Sequence, residues 1–456
     1  MMQRSTNDSK PVSPRRDFLK SAGALAAGLC MAGTESLAAA PSLAGGSKLE
    51  TLALNGGPKA VTTPTSSATH WPLYGEAEEK ELVALLRAPS YAPIAELEKA
   101  WSEFHNTPLC KAHCNGTNAL TSMMFALDYP PGTEILVPDY STWFPVVPMR
   151  LFGLVPVWVD INPKTLNIDV EDCKRRLTKN TRAVLAVHWY GLPCDMDQLC
   201  DFAKERGLDV LEDCSHAHGA TLQGKLTGTW GRMAGFSLQK SKPLPAIEGG
   251  MGMYKNRLDY ERAVTYGNYE LPRSFPEGSP YRKYHGTALG SKLRMHPMAA
   301  ILAKNQLKHL VERNTAGVAQ VKRMNERLTQ LPGLSEQYVR PDVKRAFYSA
   351  NTLMIDSAKA GMTREACAKA LAAEGVEVSI DWDNMGVTWP LLHNFVVFHE
   401  AKWWHHLPAL PDKMPGCDEA NRTVMRLPYF TSESPELVDQ YCKAFEKVWA
   451  HRKDLA

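Results

Sequence analysis

Short apolar runs alternate with stretches of helical periodicity along most of the chain. Five apolar runs are candidates for strands, at 134–138, 155–161, 183–189, 209–212 and 233–238. Between them, charged and apolar positions recur at helical spacing, for example in 170–177 and 197–206. Because strands of this kind alternate with amphipathic helices, the pattern predicts βαβ units and a largely parallel sheet.

The pattern changes in the last third of the chain. Helical periodicity is predicted for 296–313, 363–374 and 436–449, with strand-like runs at 351–356 and 376–380. We interpret this part as a smaller α+β domain. The predicted organisation is therefore a signal peptide and linker over 1–45, a large α/β domain over 46–294, and a linking helix with a small C-terminal domain over 295–456.

Composition narrows the class of protein. The chain has 456 residues and a formal net charge of +3, and it contains no run rich in Lys and Arg, so nothing indicates a nucleic-acid partner. Its ten cysteines are scattered and form no Cys-x-x-Cys pair. We interpret them as mostly buried thiols rather than a disulfide framework, and we predict no metal site.

The N-terminal segment has the character of an export signal. Arg15 and Arg16 precede Phe18-Leu19-Lys20 and a run of small, apolar residues at 21–33. The paired arginines resemble a twin-arginine signal, which predicts export to the periplasm, or a cytoplasmic protein if the signal is not used. The apolar run is too short for a stable membrane anchor.

Candidate binding residues follow the predicted strands, because ligands in open α/β sheets bind beyond the carboxyl ends of the strands. Gly116, Thr117 and Asn118 open a predicted helix, where free N–H groups and a hydroxyl can hold a phosphate. A helix cap without a ligand is the alternative. Asp213 follows 209–212 and suits a protonated ring nitrogen, a metal ion or a helix cap.

A lysine turn supplies the third candidate group. Lys242 lies between an apolar run and a Gly-Gly pair, with Pro243 directly after it and Ser237 five residues before it. A rigidly held lysine amine can form a Schiff base with an aldehyde. The alternative is a surface pair of lysines, Lys240 and Lys242, in a proline-rich loop. Pyridoxal 5′-phosphate is the cofactor that explains the phosphate loop, the aspartate and the lysine together.

Several motifs resemble the DegT/DnrJ/EryC1/StrS family of sugar aminotransferases, from about Leu52 to the C-terminus. They are CNGTNAL, VHWYGLPCDMDQL, LEDCSHAHGA and FSLQKSKPLPAIEGG. The resemblance implies a fold type I, pyridoxal-phosphate-dependent transferase of the α/β class, with a mainly parallel sheet between helices in the large domain. It selects Lys242 over Lys240, since Lys242 lies five residues after Ser237 and six before Glu248.

The resemblance also implies roles for individual residues. Lys242 forms the internal aldimine, and Asp213 binds the pyridine nitrogen. The phosphate is held by residues from two segments, namely Gly116, Thr117, Asn118 and Ser237. A homodimer is implied, with Glu or Gln as amino donor and a keto-sugar or keto-cyclitol as acceptor.

Three positions depart from the family pattern. His216 replaces a Gln beside the ring hydroxyl, and its charge depends on pH. For the aromatic residue that stacks on the ring we choose Trp143, although an ungapped count gives Thr142. Lys292 replaces an Asn that reaches the phosphate of the neighbouring subunit, where a lysine can act as a point charge.

Two alternative functions remain on the same fold. One is a pyridoxal-phosphate-dependent sugar dehydratase, and the other is a non-catalytic, exported sugar-binding or sensor protein. The presence of both Lys242 and Asp213 favours the aminotransferase.

Overall fold

A computed structural model describes residues 49–346, 350–381 and 413–456. Within them, Glu50–Ala456 forms one compact unit. Arg15, Arg16 and the rest of the predicted export signal lie outside the described residues. The predicted domain boundary at residue 294 stays a prediction.

Strands account for the predicted α/β pattern and for a second, smaller sheet. In chain order they are β1 (Cys110–His113), β2 (Glu134–Pro138), β3 (Val155–Val159), β4 (Ile161–Asn162), β5 (Asn167–Ile168), β6 (Thr181–Val187), β7 (Asp209–Asp213), β8 (Thr221–Leu222), β9 (Lys225–Leu226), β10 (Met233–Ser237), β11 (Gly250–Tyr254), β12 (Leu334–Glu336), β13 (Val343–Lys344), β14 (Ala350–Ile355) and β15 (Val424–Pro428).

Helices cover the large sheet and link it to the smaller one. In chain order they are α1 (Glu76–Arg87), α2 (Ala92–His105), α3 (Gly116–Leu127), α4 (Val170–Arg176), α5 (Met196–Arg206), α6 (Arg257–Thr265), α7 (Pro297–Lys308), α8 (Leu310–Leu328), α9 (Ser357–Ala360), α10 (Arg364–Ala373), α11 (Pro415–Thr423) and α12 (Pro435–Ala450).

The main sheet has seven strands in the order β1-β11-β10-β7-β6-β2-β3. Strands β2, β3, β6, β7 and β10 pair in parallel, and β11 runs antiparallel to both of its neighbours. The parallel strands end at one edge of the sheet, which places Asp213 and Ser237 there as the last residues of β7 and β10. This architecture confirms the predicted mainly parallel α/β fold.

The two strands on one side of the sheet, β1 and β11, were not predicted from the sequence. β11 reads Gly-Met-Gly-Met-Tyr, and glycine has low strand propensity. β1 has only four residues and contains Lys111 and His113, both buried. Because β1 contains polar residues and β11 contains glycines, neither strand forms an apolar run in the sequence.

The C-terminal part contains a three-stranded sheet, ordered β12-β14-β15, that packs with α10 and α12 around its own apolar cluster. The predicted helix at 296–313 divides at His309, where α7 ends and α8 begins. The predicted strand at 376–380 does not form, and only an isolated bridge joins Ser379 to Arg426. None of the helices among the described residues has the length and apolar character needed to cross a membrane.

Three buried histidines belong to the main sheet or pack on it, since His113 ends β1 and the rings of His105 and His218 each lie 5.4 Å from the ring of Phe236 in β10. Burial lowers the pKa of His105 to about 4. Burial also lowers the pKa of His113 and of His218, each to about 3. All three are therefore neutral in the folded protein at neutral pH.

We expect these histidines to make the fold sensitive to acid. Their folded pKa values lie below the unfolded value of about 6.5, so the folded state binds fewer protons and stability falls as the pH drops below about 6.5. Between about pH 7 and about pH 5.5, each such group lowers the free energy of unfolding by about 1.2 kcal/mol. Urea unfolding at both pH values should show that the free energy of unfolding differs less between them for His105→Asn than for the wild type.

His70→Asn is the control for this measurement, because His70 is exposed. It should leave the difference between the two pH values unchanged. If His105→Asn and His70→Asn give the same difference as the wild type, burial of His105 does not govern the acid sensitivity.

Candidate active site

The largest group of predicted site residues meets in one cavity of about 460 Å³, here called the main cavity. It lies at the edge of the sheet where the parallel strands end. Its lining residues are Asn115, Gly116, Thr117, Leu120, Thr142, Phe144, Val187, Trp189, Asp213, Ser215, His216, Ser237, Gln239, Ser241, Lys242 and Glu248.

One end of the main cavity is the N-terminus of α3. Asn115 is the N-cap, and its Oδ1 accepts the Asn118 backbone N–H at 2.8 Å. The amides of Gly116 and Thr117 are in the first turn, where an N–H group has no acceptor within its own helix. These two amides and the helix dipole make an anion site, beside which Ser237 ends β10.

Two glycines allow the backbone segments around this anion site to meet. A Cβ on Gly116 would lie 2.5 Å from Ser237 Cβ. A Cβ on Gly250, which is paired with Ser237 in the sheet, would lie 2.3 Å from the carbonyl oxygen of Asn115. Glycine is required at both positions by close approach, because any side chain would push α3 away from β10 and β11.

Asp213 supplies a buried carboxylate in the same cavity. It is 5% exposed, and its Oδ1 accepts the Ser215 backbone N–H at 3.0 Å. Burial raises the pKa of Asp213, and this effect is opposed by hydrogen bonds from Ser215 and by the positive charge of Lys242. A carboxylate in this setting is stabilised by a cationic N–H donor, which a protonated pyridine nitrogen provides.

Lys242 is held on a loop, residues 238–249, that we call the lysine loop. The loop closes on itself, because Leu238 N–H donates to Gly249 O at 2.8 Å and Ala246 N–H donates to Leu238 O at 2.7 Å. Trp71 anchors it from a distant part of the chain, since Trp71 Nε1 donates to the Lys242 carbonyl at 3.1 Å. The backbone of Lys242 is therefore fixed beside the main cavity.

His216 and Trp189 line the cavity with ring systems. Their ring centroids are 4.8 Å apart and their planes are tilted by 43°. Burial and the positive charge of Lys242 keep the pKa of His216 well below its usual range. His216 is therefore neutral near pH 7, and the pH-dependent charge expected from the sequence does not arise in this environment.

His188 follows β6 but contributes to a different cluster. It lies with Glu212 and Cys214, whose potential ligand atoms are all within 4.8 Å of one another. His188 Nε2 is 3.1 Å from Glu212 Oε2, and the same carboxylate accepts the backbone N–H groups of Gly228, Trp230 and Gly231. Because protein donors already surround both carboxylate oxygens, this cluster serves to connect strands rather than to bind a metal ion.

The structure brings most of the predicted site residues together, namely Gly116, Thr117, Asp213, His216, Ser237 and Lys242. Three others lie outside the cavity lining. Asn118 donates from Nδ2 to Cys114 Sγ at 3.1 Å. Trp143 is stacked on Phe144 with centroids 5.1 Å apart, and it is Phe144 that lines the cavity. Lys292 is exposed, so its predicted role toward a second subunit stays a prediction.

Sequence reasoning missed several lining residues. Trp189 is the second residue after β6, so its place near the end of a strand was a usable signal. Glu248 and Gln239 come from the lysine loop, and only the loop's hydrogen bonding places them at the cavity. Phe144 depends on the path of an irregular segment that periodicity does not describe.

The residues present fit pyridoxal phosphate. The first turn of α3 and Ser237 suit its phosphate, Asp213 suits its ring nitrogen, and Lys242 suits its aldehyde carbon. The close approach at Gly116 and Gly250 and the buried Asp213 carboxylate are the two observations that carry this assignment.

Comparison with known proteins points to one family. A model of the DegT/DnrJ/EryC1/StrS aminotransferase family matches residues 75–446. L-glutamine:scyllo-inosose aminotransferase of Streptomyces griseus is 28% identical over 425 residues, covering 89% of this chain and 99% of the relative. An aminotransferase structure from Psychrobacter cryohalolentis superposes with a TM-score of 0.74 at 21% identity, covering 84% of this chain and 98% of that chain.

Some other relatives are matched over only part of their length. GDP-perosamine synthase of Escherichia coli O157:H7 is 31% identical over 214 residues, which cover 47% of this chain and 57% of that enzyme. Including this one, four curated relatives are matched over only 41–63% of their own length.

We expect Gly116→Ala to disrupt the anion site. The added methyl group meets Ser237 Cβ at 2.5 Å, so the start of α3 must move, at a cost of roughly 1–3 kcal/mol for overpacking. Thermal melting should show a lower midpoint, and equilibrium dialysis should show pyridoxal phosphate binding weakened by about tenfold or more.

Gly278→Ala is the matched control, since a Cβ at Gly278 meets nothing within 4 Å. It should melt and bind cofactor as the wild type does. Unchanged cofactor affinity in Gly116→Ala would show that α3 does not hold the phosphate.

Proposed function

The chain belongs to the DegT/DnrJ/EryC1/StrS aminotransferase family, and on this premise we propose that it is a pyridoxal-phosphate-dependent aminotransferase. Its amino donor is glutamine or glutamate, and its acceptor is a keto-sugar or keto-cyclitol. The relative aligned over 99% of its length, L-glutamine:scyllo-inosose aminotransferase, supports both the donor and the cyclitol class of acceptor.

One observation carries this proposal. A single cavity joins a lysine amine, a buried carboxylate and the N-terminus of a helix, contributed by Lys242, Asp213 and Gly116. Aldehyde chemistry, ring protonation and phosphate binding each need one of these groups. A non-catalytic sugar-binding protein needs none of them, and their joint presence therefore favours the enzyme.

Pyridoxal phosphate, when bound, withdraws electrons from the carbon that carries the transferred amino group. The chain supplies the proton transfer. With the cofactor bound, Lys242 Nζ would be the amine that attaches to it, and the released amine would take and return the proton as general base and acid. The fixed backbone of Lys242 limits this movement to the side chain.

The other residues set the charge and position of the ring. Asp213 would keep the ring nitrogen protonated, and the backbone N–H of Ser215 orients the Asp213 carboxylate. The first turn of α3 and Ser237 would hold the phosphate, so the cofactor would be held at both ends. His216 stays neutral beside Trp189, which avoids a second buried positive charge next to Lys242.

A homodimer is part of the proposal. Lys292 is exposed, and its Nζ lies 5.8 Å from the centroid of the Tyr269 ring. An exposed cation of this kind can reach the phosphate of a second copy, as the Asn at this position does in the family. Lys292 then adds a point charge to the phosphate site of the partner.

The purified protein should carry cofactor-dependent visible absorbance that changes when L-glutamine or L-glutamate is added. Lys242→Ala should lack the band that depends on covalent attachment, because Lys242 is the lysine that lines the main cavity. Borohydride reduction followed by peptide mass spectrometry identifies the attached lysine, and we expect the adduct on Lys242.

The same peptide mapping can also contradict the assignment of Lys242. An adduct on Lys240, or an unchanged spectrum in Lys242→Ala, would refute the assignment of the lysine. A protein that takes up no pyridoxal phosphate at all would refute the enzyme and favour the sugar-binding alternative.

Export through a twin-arginine route is a separate part of the proposal, supported by Arg15, Arg16 and the apolar run at 21–33. Replacing both arginines by lysine should stop export while keeping the charge of the segment. Fractionation of a bacterial host that has this route should then find the protein in the cytoplasm rather than the periplasm.

Arg4→Lys is the control for this export test, because it changes an arginine outside the pair. It should be exported as the wild type is. Wild-type protein that stays in the cytoplasm, uncleaved, would show that the segment is not an export signal.

A further inference from the structure

A second cavity adjoins the lysine loop and shares two of its residues with the main cavity. Its volume is about 270 Å³. We call residues 49–75, which precede α1, the N-terminal arm, and we call this cavity the arm cavity because Thr69 and Trp71 of the arm line it. Lys242 and Ser241 line both this cavity and the main cavity. A ligand in the arm cavity is therefore next to the lysine that carries out the proposed proton transfer.

The arm cavity is rich in positive charge. Lys240, Lys242 and Arg313 line it, against a single acidic residue, Glu377. Glu377 and Lys240 are exposed, while Lys242 and Arg313 are half-buried. The inner part of the cavity is therefore cationic, and it favours an anionic ligand.

Arg313 is positioned by neutral acceptors on one side. Its Nη1 donates to Gln306 Oε1, and its Nη2 donates to the Leu73 carbonyl at 3.3 Å. The guanidinium carbon lies 5.5 Å from the centroid of the Trp71 ring. These contacts fix the guanidinium and leave further N–H groups for another acceptor, since a guanidinium has five N–H donors.

No carboxylate within 49–346, 350–381 and 413–456 forms an ion pair with Arg313. Acidic groups act on it only from a distance, from Glu78 and Glu312. A half-buried cation without a paired anion is costly to keep, which is typical of a site that receives its anion from a ligand.

We propose that the arm cavity binds the carboxylate of the amino-acid donor and that Arg313 is the residue that recognises it. The inference rests on the proposed function, which makes an amino acid one of the two substrates. Glutamine and glutamate both carry an α-carboxylate one bond from the carbon whose proton Lys242 moves. A cavity that shares Lys242 with the cofactor site and presents a fixed guanidinium suits that arrangement.

The volume of the arm cavity indicates which of the two substrates it holds. Pockets for drug-sized ligands typically measure roughly 300–1,000 Å³, and the arm cavity is smaller, at about 270 Å³. An amino acid suits this volume better than a nucleotide sugar does. Arg313 is thus a specificity-determining residue for the donor rather than for the acceptor.

The test uses glutarate, which has the carbon chain of glutamate without the amino group and therefore cannot react. Isothermal titration calorimetry with the cofactor-loaded protein should show glutarate binding, weakened by about tenfold or more in Arg313→Gln, as expected when a charge-assisted hydrogen bond is lost. Arg313→Lys should fall between the two, because lysine keeps the charge without the fork of donors.

Arg323→Gln is the matched control. Arg323 is on the same helix, α8, but its side chain is 55% exposed and pairs with Asp439 at 3.6 Å. This variant should bind glutarate within about twofold of the wild type. Cofactor uptake should be unchanged in Arg313→Gln, because Arg313 does not line the main cavity.

Three results would overturn the proposal. They are wild-type protein that does not bind glutarate, Arg313→Gln that binds it as the wild type does, and inorganic phosphate that binds more tightly than glutarate in an Arg313-dependent way. The last result would assign the cavity to a phosphoryl group of the acceptor. If Arg313→Gln does not fold, the affinity of Arg313→Lys for glutarate decides: weaker binding than in the wild type supports the proposal, and equal binding overturns it. Failure of the proposed function shows separately, as absence of a cofactor adduct on Lys242.

Discussion

The contact between the start of α3 and the ends of β10 and β11 is the constraint on which the site depends. Gly116 meets Ser237 and Gly250 meets Asn115 at distances that leave no room for a side chain. This contact aims the first-turn amides of α3 at the space where the parallel strands end. It also fixes the start of β11, and Gly250 closes the lysine loop on its C-terminal side. The anion site and the position of Lys242 thus have a common structural origin.

The two neighbouring acidic residues at the end of β7 have different electrostatic surroundings. Glu212 and Asp213 are adjacent in β7, so their side chains point to opposite faces. Glu212 is surrounded by backbone donors and His188, whereas Asp213 faces the main cavity beside Lys242. One carboxylate is used to hold strands together, and its neighbour remains available to a cationic ring. Burial keeps the pKa values of His216 and His218 low, so these two histidines are neutral, and the positive charge of Lys242 opposes the rise in the pKa of Asp213.

The sequence predicted what depends on local pattern and on short motifs. Five strands, the parallel sheet and the helix that starts at Gly116 were found in this way, because apolar runs and a glycine at a helix start are visible in the chain itself. β1 and β11 were missed since their polar and glycine residues do not alternate as strands usually do. Phe144 and Trp189 at the cavity, and the division of 296–313 at His309, depend on packing between distant segments. Periodicity carries no information on such contacts.

The N-terminal arm is the clearest case of such a long-range effect. Residues 47–69 are rich in Gly, Pro, Ser and Thr, yet Leu52, Val61 and Ala68 are buried in the core of the smaller sheet. From that anchor the arm reaches the lysine loop twice, through Trp71 Nε1 to the Lys242 carbonyl and through the Ile247 N–H to Tyr74 Oη. These bonds hold the backbone of the loop between the two cavities, and so they fix the position from which the Lys242 side chain extends. A distant segment of the chain therefore determines where this lysine lies at the main cavity.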